Sequence, residues 1–343
     1  MKLPDGLEGA VVTTESNLFY LTGYPNADAA IALTPDKKYY ITDKRCSEEA
    51  EKLIKGFEIV DSGGIGYAEK AAQILQDSGA INVGAELDEI SYRDYLKISA
   101  RFSGISSVSE FISGLRAVKN EEELGKIRLA QEITDKVYDK VLEFVSPGMT
   151  EKTLKSFIDT EIVRRGGYPA FDTIVAFGEN TSKPHCHAGE RTLKRGDAVT
   201  IDFGAKLMGY CSDMTRSFCV GFLPDGYAEI YNAVLNAKNL AQKTIKAGMS
   251  GKNCDFVARE YFEKLGISEY FIHSLGHSLG VDIHESPNLS PREERVIPEG
   301  AVTSVEPGIY IPNKFGVRIE NIVLFKNSGV ENLTNSPENL IIV

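Results

Sequence analysis

The sequence predicts two domains, a small α/β domain over residues 1–115 and a larger α+β domain over residues 116–343. Three observations predict this division. Short β-rich runs and helical runs alternate before residue 115, a long amphipathic helix begins at Glu121, and the remainder contains an internal repeat. With 343 residues, the chain is long enough for two cores of ordinary size.

The first domain is predicted from its alternating periodicities. The β-rich runs are GAVVTT, AAIALT and KYYITD, and the runs with helical spacing are EEAEKLI and YAEKAAQILQDSG. We find no Gly-rich phosphate loop and no cluster of metal-ligating side chains in this part of the sequence. It is therefore predicted to be mostly scaffold.

The long helix marks the start of the second domain. Its apolar residues recur at steps of three or four, as on one face of a helix, and they are Leu124, Ile127, Ala130, Val137, Val141 and Val145. Three glutamates, 121–123, occupy its first turn, where negative charge meets the positive end of the helix dipole. Pro147 and Gly148 end the helix, and the domain boundary is expected just before it.

An internal repeat predicts two similar halves in the second domain. Residues 146–167 resemble residues 246–267 at an offset of 100, and residues 190–204 resemble residues 294–308 at an offset of 104. In this alignment Asp202 meets Glu306, and a further carboxylate pair, Asp213 and Glu320, follows at an offset of 107. Two facing halves of this kind would bring equivalent carboxylates to one central point.

These four carboxylates lie in or beside apolar strands. In AVTIDFGA, for example, Asp202 alternates with Ile201 and Phe203, and after a turn Asp213 lies on a returning strand. Glu306 is predicted at the end of an apolar strand and Glu320 within another. A single aspartate of this kind is usually a satisfied surface residue. A charge inside an apolar strand needs a partner, however, and neighbouring carboxylates repel each other unless a positive group lies between them. The pattern therefore predicts a cation site.

The histidines cluster near these carboxylates. Three of the five histidines, His273, His277 and His284, lie in HSLGHSLGVDIHE, and His185 and His187 lie in KPHCH. Any one of them alone is more often structural than a ligand. Four carboxylates and one neutral imidazole carry a charge of about −4, which two divalent ions cancel. Oxygen-rich donors with one imidazole favour Mn, Fe, Co or Zn, and two such ions can supply hydroxide at neutral pH.

Several of these segments resemble a known superfamily. The runs IDFGA, YCSDMTRS, HSLGHSLGVDIHE, EPGIYI and GVRIEN are similar to the five-ligand signature of the pita-bread metallopeptidases, which include methionine aminopeptidases and Xaa-Pro peptidases. In the first domain, NLFYLTGY and YYITDKR resemble the N-terminal domain of the prolidase and aminopeptidase P branch (creatinase/prolidase N-terminal type). The resemblance implies a pita-bread catalytic domain with a pseudo-twofold repeat. It also implies a metalloexopeptidase that hydrolyses the N-terminal Xaa-Pro bond of dipeptides or short peptides.

The resemblance also implies roles for particular residues. The implied ligands of two divalent ions are Asp202, Asp213, His277, Glu306 and Glu320. Asp202 would bind one ion, Asp213 and Glu320 would bridge both, and His277 with Glu306 would complete the other. Glu306 is also implied to shuttle a proton.

Four further residues are implied to meet the substrate. His284 would hydrogen-bond the substrate carbonyl or its oxyanion, and His185 and His273 would line the pocket for the residue after the scissile bond. Arg318 would orient Glu320 or meet a substrate carboxylate. His187, two positions after His185, is an alternative to it, although His185 directly follows proline as in the family pattern.

Composition restricts partners and location. A net charge of −11 argues against a nucleic-acid partner, because binding phosphates requires a basic face. No apolar run approaches the roughly 20 residues of a membrane helix, so a membrane partner is not expected. Five cysteines without a CxxC pair indicate reduced thiols and a cytoplasmic protein. The resemblance implies a homodimer and a peptide substrate with proline at the second position.

Two alternatives remain open. A methionine-aminopeptidase-like activity is disfavoured by the domain before residue 115, which that branch usually lacks. A catalytically inactive pita-bread binding protein is disfavoured because all five ligand positions are intact. Dipeptidase and aminopeptidase activity are not separated by the sequence, and an enzyme that cleaves both kinds of substrate is favoured slightly.

Overall fold

The computed structural model describes residues 2–343. The chain divides into two compact units, Met1–Arg116 and Ala117–Val343. Within the described residues, none of the helices combines the length and the apolar character needed to span a lipid bilayer. Each unit is described separately below.

The first unit is built around one six-stranded mixed sheet with the order β4-β3-β2-β1-β5-β6. Its strands are β1 Gly9–Val12, β2 Ala30–Leu33, β3 Lys38–Thr42, β4 Glu58–Asp61, β5 Val83–Ala85 and β6 Ile105–Ser107. Its helices are α1 Glu15–Thr22, α2 Ser47–Leu53, α3 Tyr67–Asp77, α4 Tyr92–Ser99 and α5 Ser109–Ala117. The central strands β1 and β2 are buried along their whole length, as expected for a sheet covered on both faces.

A buried carboxylate in this unit has a structural role. Glu86 is 1% exposed and accepts backbone N–H groups from Thr13 and Thr14, at 2.6 Å and 3.0 Å, where helix α1 begins. It also accepts the side-chain amide of Asn17. The negative charge is thus satisfied by the donors and the dipole of a helix N-terminus, without a metal.

The second unit contains two pairs of helices and several antiparallel sheets. Its helices are α6 Glu121–Phe144, α7 Glu151–Arg164, α8 Tyr227–Thr244 and α9 Gly251–Lys264. Its strands are β7 Tyr168–Pro169, β8 Ile174–Phe177, β9 Ala198–Phe203, β10 Ala205–Leu207, β11 Tyr210–Cys211, β12 Met214–Cys219, β13 Gly276–Ser278, β14 Glu285–Leu289, β15 Val302–Val305, β16 Gly308–Ile311, β17 Phe315–Arg318, β18 Asn321–Lys326 and β19 Gly329–Asn332. The sheets have the orders β12-β9-β8, β11-β10-β7, β14-β13-β15-β18-β19 and β16-β17.

Helix α6 follows the predicted pattern closely. Its N-terminus carries a capping box, in which the side chain of Asn120 accepts the N–H of Glu123 and Glu123 accepts the N–H of Asn120. The predicted apolar face is buried, including Leu124, Ile127 and Val141. The helix ends two residues before Ser146, ahead of the predicted Pro-Gly stop.

The internal repeat appears as matched hydrogen bonds in the two halves of the unit. Helices α7 and α9 begin 100 residues apart, as the alignment predicts. The N–H of Gly148 donates to the carbonyl of Leu193 at 2.8 Å, and the N–H of Gly248 donates to the carbonyl of Ile297 at 3.0 Å. Equivalent ion pairs are Lys152–Glu190 and Lys252–Glu294. The predicted two-part fold with an internal repeat in its second part is confirmed.

Candidate metal centre

A cavity of about 410 Å³ in the second unit brings the predicted site residues together. All nine of them line it, namely Asp202, Asp213, His277, Glu306, Glu320, His185, His273, His284 and Arg318. His187 is not among the lining residues. Its side chain is 93% exposed and lies 3.9 Å from the carboxylate of Asp172. The structure therefore places His185, and not His187, at the cavity.

The first two carboxylates come from one antiparallel hairpin. Asp202 lies in β9 opposite Thr215 of β12, and Asp213 immediately precedes β12. The connection folds into the short strands β10 and β11, where the sequence predicted only a turn. Gly204 is required at the crossing, because a Cβ there would lie 1.9 Å from the carbonyl oxygen of Ser212.

The second half presents its ligands from the ends of strands. Glu306 directly follows β15, and its N–H donates to the carbonyl of Leu275 at 2.8 Å. Glu320 lies between β17 and β18, and not within a strand as the sequence predicted. His277 is the central residue of β13. A Cβ on the preceding Gly276 would meet the carbonyl oxygen of Ser304 at 2.2 Å, so glycine is needed there.

The donor atoms converge at distances suited to a cation. Nε2 of His277 lies 3.4 Å from Oδ2 of Asp213 and 3.4 Å from Oε1 of Glu306. One ligand atom each from Asp213, His277 and Glu320 lie within 4.8 Å of one another. Nitrogen and oxygen ligands lie about 2.0–2.2 Å from a divalent ion such as zinc, so two ligands of one ion are ~3–3.5 Å apart. The two 3.4 Å separations match this spacing.

Three carboxylate oxygens at this point are buried and accept no hydrogen bond from residues 2–343. They are Oδ1 of Asp202, Oδ1 of Asp213 and Oε1 of Glu320. A buried acceptor without a donor is costly, and a buried carboxylate is costlier still. Divalent cations would satisfy these oxygens and cancel their charge. The residues present therefore fit the metal ions that the sequence predicts.

The same crowding perturbs the acidity of the carboxyl groups. Burial, reinforced by the charges of Asp202 and Glu306, raises the pKa of Asp213 well above its ordinary value. Burial, followed by the charge of Asp213, likewise raises the pKa of Glu320. Burial also raises the pKa of Glu306. Without a cation, the site thus favours protonated carboxyl groups.

Arg318 connects the carboxylates to one another. Its guanidinium donates to Oδ2 of Asp202 at 2.6 Å and to the hydroxyl of Thr215 at 2.9 Å. The Thr215 hydroxyl in turn donates to Oε2 of Glu320 at 2.6 Å. Arg318 is fully engaged inside the protein, since it also donates to the hydroxyl of Tyr310 at 2.6 Å. Its contacts suit the orientation of Asp202 and Glu320.

Thr215 and Tyr310 are missed by the sequence reasoning. Alternation along the strand offered a signal for Thr215, which lies two positions after Asp213. Tyr310 carries no comparable signal, because its partners Arg318 and His273 meet it only in the folded chain.

Two histidines at the cavity, His273 and His284, have lowered pKa values. Nε2 of His273 lies 2.9 Å from the hydroxyl of Tyr310, and Nδ1 lies 2.8 Å from the carbonyl of Ser274. Burial and the nearby charge of Arg318 lower the pKa of His273 to about 3. The ring of His284 lies 4.3 Å from that of His277 between centroids, and burial followed by this neighbour lowers its pKa. Both ring nitrogens of His273 thus have protein partners, whereas a neutral His284 would have one N–H to donate.

The loop that carries His185 is held by hydrogen bonds to one buried carboxylate. Glu151, the first residue of α7, accepts the N–H of Phe177, the side-chain amide of Asn180 and the N–H of Gly189, each at 2.9 Å. These bonds fix both ends of the segment 178–189. The hydrogen bonds to Glu151 thus hold the loop in the position in which His185 lines the cavity.

A second cavity of about 340 Å³ adjoins the first, because His273 and Ser274 line both. Two arginines line the second cavity. Arg259 is paired with Asp255 at 2.8 Å, whereas Arg292 is exposed. The sequence analysis did not single out Arg292, since an arginine in a polar loop resembles any solvated charge.

The comparisons with known proteins agree with this geometry. Residues 125–327 match metallopeptidase family M24, and residues 4–118 match the creatinase/prolidase N-terminal domain. An uncharacterized peptidase of Bacillus subtilis is 37% identical over 341 residues, which cover 98% of this chain and 96% of that protein.

Solved structures extend the similarity to the fold. A structure of an Xaa-Pro dipeptidase from Bacillus anthracis has a TM-score of 0.95 at 35% identity and covers 98% of this chain and 96% of its own. A structure of an X-Pro aminopeptidase from Thermotoga maritima has a TM-score of 0.91 at 33% identity and covers 98% of each chain. Fold, carboxylate cluster and sequence agree, and the chain belongs to metallopeptidase family M24.

Proposed function

We propose that this metallopeptidase hydrolyses the N-terminal Xaa-Pro bond of dipeptides and short peptides. One observation carries the proposal, namely the convergence of Asp202, Asp213, His277, Glu306 and Glu320, with three orphaned oxygens, in a cavity large enough for a small peptide. The similar Xaa-Pro dipeptidase and X-Pro aminopeptidase support the substrate class.

We propose two divalent ions as cofactors. Asp213 and Glu320 would bridge them, Asp202 would complete one shell, and His277 and Glu306 would complete the other. Manganese heads the candidates because four of the five donors are carboxylates, with iron, cobalt and zinc as alternatives. When bound, such an ion pair lowers the pKa of water and polarises a carbonyl group.

The chain's own residues would move protons and orient the substrate. Glu306 accepts a hydrogen bond from the hydroxyl of Ser304 at 3.0 Å, which fixes its carboxylate at the cavity. A carboxylate in this position would take a proton and later return it to the leaving nitrogen. His284, kept neutral, would donate its N–H to the substrate carbonyl oxygen and stabilise the developing oxyanion.

The walls of the cavity suit a proline ring. Phe171, Ile174 and Pro184 give it apolar surface beside the imidazoles of His185 and His273. The imide nitrogen of a prolyl residue has no hydrogen to donate. Recognition must therefore rest on the shape of the ring and on apolar contact, which these side chains provide.

His284→Ala should lower kcat by about 10²–10³-fold, the usual cost of removing one oxyanion donor. Both ions should stay bound, because His284 is outside the proposed ligand set. Steady-state kinetics on Ala-Pro and metal analysis of the purified variant check this. Loss of metal with the activity would show that His284 is itself a ligand.

The proposed function is tested by metal analysis and hydrolysis with one preparation. The expected result is divalent metal in the purified enzyme and release of alanine from Ala-Pro and Ala-Pro-Ala, abolished by a chelator. Preferential hydrolysis of Met-Ala would indicate a methionine-aminopeptidase-like enzyme. Absence of metal and of turnover on all three peptides would indicate a binding protein.

We propose that the second cavity takes the carboxylate of a dipeptide. Arg292 presents an exposed guanidinium there, next to the wall shared with the metal cavity. Arg292→Ala should raise KM for Ala-Pro by about 10–100-fold, as expected for one lost charge-assisted hydrogen bond. KM for Ala-Pro-Ala, whose carboxylate lies one residue further on, should change less. Arg292→Lys serves as control, and equal losses on both substrates would contradict the assignment.

We also propose a cytoplasmic homodimer. The five cysteines are unpaired, and four of them are buried, which fits a reducing compartment. The dimer rests on the resemblance to the prolidase and aminopeptidase P branch. Sedimentation of the native protein tests it, and a mass near the 37.6 kDa of one chain would contradict it.

A further inference from the structure

The loop that carries His284 is a tight one. It runs from the end of β13 at Ser278 to the start of β14 at Glu285. The N–H of Gly280 donates to the carbonyl of Asp282 at 3.0 Å, which closes a turn inside the loop. The carbonyl of Gly280 accepts the N–H of Cys211 at 2.7 Å. The loop is thereby tied to the hairpin that presents Asp213.

The carboxylate of Glu285 fills the inside of this loop. Its Oε1 accepts the N–H of Asp282 at 3.1 Å. A Cβ on Gly280 would lie 2.8 Å from its Oε2, so the carboxylate packs directly against the backbone there. A carboxylate enclosed in this way holds the loop from within, but its charge needs a partner.

One such partner is Lys119, which lies 166 positions away in the chain. Its Nζ lies 3.0 Å from Oε2 of Glu285, and only 1% of the Lys119 side chain and 4% of the Glu285 side chain are exposed. Lys119 is itself anchored, because its N–H donates to the carbonyl of Gly300 at 3.0 Å. The backbone of Lys119 is therefore attached to a segment outside the loop that carries His284.

We propose that Lys119 and Glu285 are positioning residues for His284. Glu285 directly follows His284, so any displacement of the loop that turns the imidazole away from the cavity must separate the two buried charges. Separating them breaks a buried ion pair in a medium of low polarity, which is strongly unfavourable. The pair thus restricts His284 to the orientation in which it faces the metal cavity. Neither Lys119 nor Glu285 lines that cavity.

This inference rests on the proposed function of His284 and adds the residues that make it effective. A buried ion pair can also stabilise the fold without any role in positioning His284. The two roles differ in whether the effect of the pair on activity depends on the imidazole of His284. A purely structural pair would affect activity regardless of which residue occupies position 284, whereas a positioning pair acts only through the imidazole.

The test uses the double variant Lys119→Met/Glu285→Gln, which removes both charges together because removing one would leave the other without its partner in this ion pair. We expect metal content to be retained, KM for Ala-Pro to change little, and kcat to fall by about 10–100-fold, as for lost supporting contacts. In a His284→Ala background the same double substitution should produce little further loss. The surface pair Lys136→Met/Glu132→Gln is the matched control.

A readout independent of activity completes the design. The chain has five histidines, so the NMR signal of the His284 ring in histidine-labelled protein can be assigned by its absence from His284→Ala. The His284 signal should shift or broaden in the charge-free pair variant and stay unchanged in the surface control. If the pair variant does not fold, Lys119→Arg keeps the charge on a differently shaped group and should give the same pattern in smaller measure.

Three outcomes separate the claims. Failure of the metal-loaded wild type to hydrolyse Ala-Pro overturns the proposed function and leaves the imidazole signals to decide on positioning. An unshifted His284 signal overturns the positioning role. Equal losses of kcat in the wild-type and His284→Ala backgrounds overturn it as well, because they show that the pair acts independently of His284.

Discussion

Asp213→Asn should reduce turnover of Ala-Pro by at least about 10³-fold, at or beyond the upper end of what removing one preorganised electrostatic group costs. Asp213 is 3% exposed, lies 3.4 Å from Nε2 of His277, and has a buried oxygen without a hydrogen-bond donor in residues 2–343. Asparagine keeps the shape but removes the charge and one ligating oxygen. Because Asp213 is proposed to bridge both ions, the variant should also bind less metal.

The measurements are initial rates at saturating Ala-Pro and metal content after dialysis. Asp225→Asn makes the same chemical change at an exposed position and should retain both activity and metal. Retention of more than about a tenth of the activity by Asp213→Asn, far above what loss of such a group allows, would contradict the dinuclear assignment.

Removal of the ions should lower the melting temperature at neutral pH by roughly 10 °C. Ions present at a thousand times their dissociation constant stabilise the folded state by about 4 kcal/mol, and in a protein of this size ~1 kcal/mol corresponds to a few degrees. The metal-free protein must also keep several buried carboxylates close together. Thermal melts with and without chelator measure the difference.

The stability of the metal-free protein should depend on pH in a definite direction. Burial, with mutual repulsion, raises the folded-state pKa of Asp213, Glu306 and Glu320 above the ordinary values of 3.8 for aspartate and 4.5 for glutamate. Between the ordinary and the raised pKa, the folded protein binds more protons than the unfolded chain. The free energy of unfolding should therefore fall as pH rises through that window. A metal-free protein that gains stability across the same window would contradict this account.

Bound ions should remove most of this pH dependence, because they replace the protons on the carboxylates. Melts of metal-loaded and chelated protein in parallel buffers isolate the effect, since all other titrating groups are common to both. The difference between the two melting temperatures should grow from acid towards neutral pH. A constant difference would show that the ions do not bind at these carboxylates.

Much of the fold and of the candidate site could be predicted from the sequence. The repeat was visible because equivalent turns and carboxylates recur at nearly constant offsets, and the carboxylates stood out because charge is unexpected among Ile201, Phe203 and their neighbours. Local periodicity located the long helix and its buried face. The choice of His277 as a ligand required the resemblance, since the histidines of that stretch look alike on spacing alone.

The remainder depends on contacts between distant parts of the chain. Nothing in the sequence distinguishes Lys119 from a solvent-exposed lysine. Only the fold places it against Glu285. Thr215 and Tyr310 gain importance through Arg318, whose reach across several strands has no local signature. The strand ends near Glu320 and the hairpin after Gly204 also escaped sequence reasoning, because close backbone approach decides them.

The matched halves of the second unit have a consequence for how long ions remain bound. Asp202 and Asp213 belong to the first half of the repeat, whereas His277, Glu306 and Glu320 belong to the second. Local opening of either half would strip ligands from both proposed ions at once. The rate at which bound ions are released should therefore be limited by the rate at which the two halves separate. Exchange of bound ions against an isotopic tracer would measure that rate.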